Sequence, residues 1–155
     1  MIKVGIVGYG NLGRGVEAAV AKNPDMELKM MFTRRDPASV KIKTEGVPVY
    51  KLEDASNYKN DVDILILCGG SATDLPEMTP ALAKDFNVID SFDTHARIPE
   101  HFANVDKAAK DGGKTALISC CKFRILTVSY SFNSAINRYC ILTGINNTFD
   151  TTAGI

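Results

Sequence analysis

Apolar residues in this chain come in short continuous runs, separated by stretches in which they recur at helical spacing or not at all. The first run, Ile2 to Val7, predicts a strand. Residues 11–22 place Val16, Ala19 and Val20 on one face, which predicts a helix lying on a sheet. Asn23-Pro24-Asp25 stops that helix, since proline cannot continue it. Residues 28–32 form a second apolar run. Residues 36–45 are polar and basic without clear periodicity and read as a loop. Residues 47–50 predict a short edge strand, where Pro48 is tolerated, and residues 52–59 a short helix. The run at 62–68 is apolar but for Asp63, as a parallel strand covered on both faces requires. Residues 78–84 read as a helix, 87–90 as a strand, and 99–111 as an amphipathic helix stopped by Gly112-Gly113. A last strand is predicted at 114–119. Strand alternating with helix argues for an α/β fold built on a doubly wound parallel sheet. The predicted domain is 1–119. Residues 120–155 are a separate tail, rich in β-branched and aromatic residues from Ile125 to Phe132.

The turn after the first strand reads Gly8-Tyr9-Gly10-Asn11-Leu12-Gly13. Between a strand and a helix, this GxGxxG spacing is the fingerprint of a Rossmann-like dinucleotide fold. Gly8 permits the tight turn, Gly10 lets the backbone approach a pyrophosphate, and Gly13 lets the helix lie close on the strand. The N–H groups at that helix start then face the phosphates. The competing reading is a glycine-rich turn that binds nothing. At the tip of the second strand an NAD site usually carries Asp or Glu, about 20 residues on, for the ribose 2′-OH. Here the tip is Thr33-Arg34-Arg35, and Asp36 follows both arginines. Two planar guanidinium forks and a hydroxyl suit a 2′-phosphate, which favours NADP(H). The alternative is a pair of solvated surface arginines.

Two further segments leave strands at the same edge of the sheet, where ligands of open α/β folds bind. Cys68 ends one strand and leads into Gly69-Gly70-Ser71-Ala72-Thr73-Asp74. These small and hydroxylated residues could lie against a nicotinamide ribose or pyrophosphate, or form a plain loop and helix cap. The next strand leads into Asp90-Ser91-Phe92-Asp93-Thr94-His95. Two carboxylates and an imidazole could hold a substrate ammonium or move protons. They could equally be helix-capping acids beside a surface histidine.

Charge adds little. Lys+Arg and Asp+Glu are equal at 18 each, and hydrophobic residues make up 45% of the 155. A net charge of zero gives no electrostatic reason for nucleic acid or an anionic membrane as partner. No apolar run approaches the roughly 20 residues of a membrane span, and the chain enters a strand without a basic leader, so a cytoplasmic location is expected. Cys68, Cys120, Cys121 and Cys140 form no CxxC pair. Reduced thiols, and neither a disulfide framework nor a metal site, are the expectation.

GYGNLGR, the TRR tip, LCGGSATDLPE and DSFDTHARIPEHF together resemble meso-diaminopimelate dehydrogenase over roughly residues 1–119. The resemblance implies an NADP-dependent enzyme of the lysine and diaminopimelate branch, catalysing oxidative deamination at the D-centre of meso-2,6-diaminopimelate. Hydride passes from Cα to nicotinamide C4, and the imine hydrolyses to keto acid and ammonia. It implies that Asp93 sits at the reacting D-amino acid centre. Cofactor contacts are implied for Gly8, Tyr9, Gly10, Asn11, Leu12, Gly13, Thr33, Arg34, Arg35, Cys68, Gly69, Ser71, Ala72 and Thr73, and a dimeric assembly for the whole enzyme. After Ser119 the family continues with Gly-Trp-Asp-Pro-Gly, whereas this chain reads Cys120-Cys121-Lys122-Phe123-Arg124 and has no Trp at all. The substrate and dimer-forming domain of the family is longer than the residues that remain here. An NADP(H)-binding module without chemistry is therefore the alternative to an active dehydrogenase. A homoserine or dihydrodipicolinate reductase is a further alternative, which the DSFDTH segment disfavours.

Overall fold

The computed structural model describes residues 1–118. The predicted tail, 120–155, lies outside the described residues. Six strands, β1 (Ile2–Val7), β2 (Met26–Thr33), β3 (Val49–Lys51), β4 (Ile64–Leu67), β5 (Val88–Asp90) and β6 (Ala116–Leu117), form one sheet in the order β3-β2-β1-β4-β5-β6. All five pairings are parallel. Three α-helices, α1 (Asn11–Val20), α2 (Leu75–Ala83) and α3 (Ile98–Gly112), complete the described architecture.

Both faces of the sheet are buried, as the uninterrupted apolar runs require. Val4, Ile6, Ile64, Ile66 and Ile89 belong to the apolar cluster that takes in Val20 of α1. Their neighbours Val7, Leu65, Leu67 and Val88 face the opposite cluster, with Leu75 and Ala83 of α2 and Val105, Ala108 and Ala109 of α3. In β2 this alternation shifts, with Met26 and Leu28 on the α1 side, Met30 on the other, and Met31 back again. The cause is a bulge: Val4 pairs with Leu28 but Gly5 with Met30, so Lys29 is skipped and the strand changes phase.

Several predicted elements differ in extent. The first helix ends at Val20, its last turn closed by the Ala21 N–H on the Glu17 carbonyl. β2 begins at Met26, earlier than the apolar run alone suggests. The stretch expected to be all loop contains a 3₁₀ turn at Pro37–Ser39, capped by the Asp36 side chain on the Ala38 N–H. The short helix after β3 is 3₁₀ over Leu52–Tyr58. α2 begins earlier than its apolar spacing indicates, and the last strand is reduced to Ala116–Leu117. Gly113, at φ 63°, stops α3 in the left-handed conformation.

The strand order reverses between β1 and β4, since β2 and β3 lie on one side of β1 and the later strands on the other. Beyond the strands, the Gly8 N–H donates to the Phe32 carbonyl at 2.9 Å and the Cys68 N–H to the Val7 carbonyl at 2.8 Å. These bonds hold the carboxyl ends of β2, β1 and β4 side by side, which is where open α/β folds bind ligands.

Candidate cofactor site

A cleft of about 230 Å³ opens at that reversal point, lined among others by Gly8, Gly10, Thr33, Arg34, Arg35 and Asp74. Each glycine of the first turn has a distinct geometric reason. Gly8 has φ 91°, and a Cβ there would also crowd the Cys68 carbonyl oxygen at 3.0 Å. A Cβ on Gly13 would come within 2.2 Å of the Gly8 oxygen, so helix and strand can approach this closely only with glycine. A Cβ on Gly10 meets nothing within 4 Å. Open space lies over the turn, and it borders the cleft.

Gly10 is also the N-cap of α1, with no side chain bonding the exposed N–H groups and no acid in the first turn. Those donors and the positive helix end favour an anion in the cleft. Asn11 and Leu12, in that first turn, are exposed.

Tyr9 differs from what its place in the motif suggests. Its side chain is buried, 6% exposed, and its hydroxyl donates to the buried Glu17 at 2.6 Å, so the phenol is not free to contact a ligand. Glu17 was not legible as an interior residue. Its carboxylate also accepts the N–H groups of Lys43 and Thr44 and the Thr44 hydroxyl. Burial pushes this carboxyl upward. The Tyr9 hydroxyl and the Thr44 and Lys43 donors outweigh that and hold it below its ordinary value. The same burial, with the Glu17 charge, raises the Tyr9 phenol. The network ties the long loop before β3 onto α1 and fixes the turn from beneath.

At the β2 tip, Thr33 is buried and its hydroxyl accepts the Arg35 N–H at 3.1 Å, which sets the bend of the chain. The Arg35 guanidinium donates to the Tyr9 carbonyl at 3.0 Å, bringing a cation beside the glycine turn. Arg34 makes two parallel bonds to Asp74 across the cleft, Nη1 to Oδ1 at 2.9 Å and Nη2 to Oδ2 at 2.6 Å. The strand tip thus offers two guanidiniums to one cleft, one of them already paired. Asp74 also accepts the Gly70 N–H at 2.9 Å and the Thr73 hydroxyl at 3.2 Å. The Gly70 N–H and the Arg34 guanidinium hold its carboxyl below the usual range. Asp74 stands in the GGSATD loop, but nothing in the local sequence singles it out as the partner of a residue 40 positions earlier.

Cys68 and Gly69 line the cleft, whereas Ser71, Ala72 and Thr73 do not. Ser71 is turned toward the next strand's loop instead. Its hydroxyl accepts the Asp93 N–H at 2.8 Å and shares a hydrogen bond with the Thr94 hydroxyl at 3.1 Å. The loops after β4 and β5 are thereby joined, with Asp93 exposed beside them.

The cluster at 90–95 is not one chemical unit. Asp90 is 1% exposed and is removed from any role as a substrate contact. It accepts the Thr79 hydroxyl at 2.9 Å and the Phe92 N–H at 3.1 Å, and lies 2.6 Å from His101 Nε2. His101, itself buried, stacks on Phe92 with ring centroids 4.1 Å apart. This pair anchors the end of β5 to α2 and α3, and so places the loop that carries Asp93. His95, by contrast, is exposed at the start of a 3₁₀ turn, as the bland reading of the segment expects. Among the described residues no group of acids, histidines and cysteines is placed to hold a metal, and no helix is long and apolar enough to cross a membrane.

No family model matches the chain. It is similar to meso-diaminopimelate D-dehydrogenases of Ureibacillus thermosphaericus, at 62% identity, and of Corynebacterium glutamicum, at 47%, each over 118 residues. Those residues are 76% of this chain and 36% and 35% of the two relatives, so the chain spans about a third of their length. Among solved structures, the C. glutamicum diaminopimelate dehydrogenase in complex with diaminopimelate superposes with a TM-score of 0.69 at 45% identity. It covers 76% of this chain and 35% of that one. An engineered D-amino acid dehydrogenase bound to NADP+ gives the same score and identity over the same shares of the two chains. Homoserine dehydrogenase of S. aureus, at 15% identity and a TM-score of 0.60, shares the fold alone. In sequence and in fold, the described part of this chain is homologous to a portion of the meso-diaminopimelate dehydrogenases.

Proposed function

We propose that the chain binds NADP(H) in the cleft at the β1–β4 reversal and serves the oxidative deamination of meso-2,6-diaminopimelate at its D-centre. The observation that carries the reading is the meeting of three features in one cleft: an open Gly10, an uncapped helix start, and two arginines at the β2 tip. They fit a dinucleotide with a phosphorylated ribose. The α1 N–H groups would take the pyrophosphate. Arg34 and Arg35 would take the 2′-phosphate, a role that planar guanidiniums perform better than an ammonium. The identity to dehydrogenases named for this substrate, and the NADP+ complex of a similar enzyme, support the same assignment.

When bound, the cofactor supplies the two-electron oxidation. What this chain supplies is placement. Ser71 holds the Asp93 N–H, and the buried Asp90–His101 pair fixes the strand end before it. Asp93, exposed and unburdened by burial, would orient the reacting amine through its carboxylate. A cytoplasmic enzyme of diaminopimelate and lysine metabolism, dimeric when whole, accords with this.

A second reading is NADP(H) binding without turnover. It is favoured by the position of Asp93, which is exposed and lies outside the cleft lining. Enclosure matters, since excluding bulk water strengthens the charge interactions that hold the reacting amine. Absorbance of the nicotinamide band with NADP+ and meso-diaminopimelate decides between the two. Reduction of NADP+ supports the dehydrogenase. Saturable NADPH binding without reduction leaves the binding module, and no binding refutes both.

A further inference from the structure

The Arg34–Asp74 pair is unusual in where it lies. Arg34 leaves the β2 tip and Asp74 leaves the loop after β4, so the pair spans the mouth of the cleft over the glycine turn, and both residues line it. Arg34 Nη1 and Nη2 each give one N–H to the carboxylate, which takes the end-on face of the guanidinium and leaves Nε and the outer Nη hydrogens to other ligands. Asp74 is the more buried and more fully bonded partner. Its side chain is 17% exposed against 62% for Arg34, and the Gly70 N–H and the Thr73 hydroxyl hold its two oxygens.

We propose that Asp74 is a specificity-determining residue: an internal anion that occupies Arg34 and opposes the 2′-phosphate of the dinucleotide. The proposal rests on the NADP(H) reading of the cleft and adds the residue that limits it. An arriving 2′-phosphate either takes the end-on face of Arg34 from Asp74 or binds an outer face of a guanidinium whose charge Asp74 already offsets. On both routes it lies near a carboxylate that stays ionised. A dinucleotide with a free ribose hydroxyl meets no such opposition, because a carboxylate accepts a hydrogen bond from that hydroxyl. Asp74 therefore narrows the preference that two arginines alone would give. A partly exposed pair is weak enough to be exchanged on binding, and its competition amounts to about fivefold in affinity.

The test is equilibrium binding to the full chain of two pairs of ligands differing only by the 2′-phosphate: NADPH against NADH, and adenosine 2′,5′-bisphosphate against adenosine 5′-monophosphate. The variants are Asp74→Asn, Arg34→Ala and both together. Asp74→Asn is expected to tighten both phosphorylated ligands about fivefold and to leave the other two unchanged or slightly weaker. In the Arg34→Ala background the gain should shrink, since only the direct repulsion between carboxylate and 2′-phosphate is then relieved. Asp74→Ser, which keeps a short acceptor for the Gly70 N–H, repeats the comparison where the Asn variant folds poorly. Unchanged or weaker binding of the phosphorylated ligands by both variants overturns the proposal, as does an equal gain without Arg34. Should the unmodified chain bind none of the four ligands, the cofactor reading itself falls. If it binds NADPH but Asp74 is silent, only this inference falls.

Discussion

Gly13 and Gly10 belong to one motif, yet they should fail differently when a methyl group is added. At Gly13 an ideal Cβ lies 2.2 Å from the Gly8 oxygen and 3.2 Å from the Gly8 carbon. A carbon–oxygen contact needs roughly 3 Å or more, so α1 must back away from the turn by about 1 Å. The Gly8 carbonyl cannot yield instead, because Gly8 is held at φ 91° with its N–H bonded to Phe32. Overpacking of this kind costs about 1–3 kcal/mol, against which alanine returns up to about 1 kcal/mol of helix propensity. A net loss near 1–2 kcal/mol lowers the melting temperature of a chain this size by about 4–8 °C. Gly10→Ala meets no neighbour within 4 Å. Its stability should stay within about 1 kcal/mol, the cost of alanine at an N-cap, while NADPH affinity falls at least about tenfold as the methyl enters the space above the turn. Thermal denaturation by circular dichroism, paired with NADPH fluorescence titration, reads both. If Gly13→Ala melts like the unmodified chain, or Gly10→Ala leaves NADPH affinity intact, the glycine geometry has been misread.

Glu17→Ala removes the acceptor of four donors at the base of the turn and should cost about 3 kcal/mol or more in chemical denaturation. Because the Glu17 carboxyl is depressed on folding, its contribution is present above the unfolded-state value of about 4.3. It is lost as pH falls through the lower folded value, and Glu17→Gln should flatten that acid limb. Asp90→Ala strands Thr79 and His101 in the core and should destabilise by about 3 kcal/mol; a stability change within experimental error would show that the pair is not an anchor. Asp93→Asn, at an exposed position outside the cleft, should leave the NADPH dissociation constant within about twofold. A large loss there would move Asp93 into the cofactor site.

Much of the fold was written locally. Continuous apolar runs mark β1 and β4 because both faces of a central parallel strand are dry. The glycine turn is readable because its spacing is imposed by hard contacts. The places where sequence reading falls short are non-local. Glu17 sits in a helix whose pattern reads as amphipathic, and its burial depends on Lys43 and Thr44, 26 and 27 positions later. Asp90 reads as a site residue because it ends a strand beside Asp93, yet its Thr79 and His101 partners arrive from α2 and α3. Arg34 reads as a free cation until the fold brings Asp74 across the cleft. The helix predicted at 52–59 is 3₁₀, a difference of hydrogen-bond step that apolar spacing over one or two turns does not resolve. The brief β6, short of the predicted 114–119, is an edge strand with one pairing neighbour among the described strands.

The central claim is that the β2 tip selects a phosphorylated dinucleotide. It is tested most directly by measuring NADPH and NADH affinity before and after Arg34→Ala with Arg35→Ala. The account predicts saturable NADPH binding, weaker by about tenfold or more in the double variant, with NADH nearly unaffected. Equal losses for the two cofactors, or no saturable binding by the unmodified chain, would contradict it.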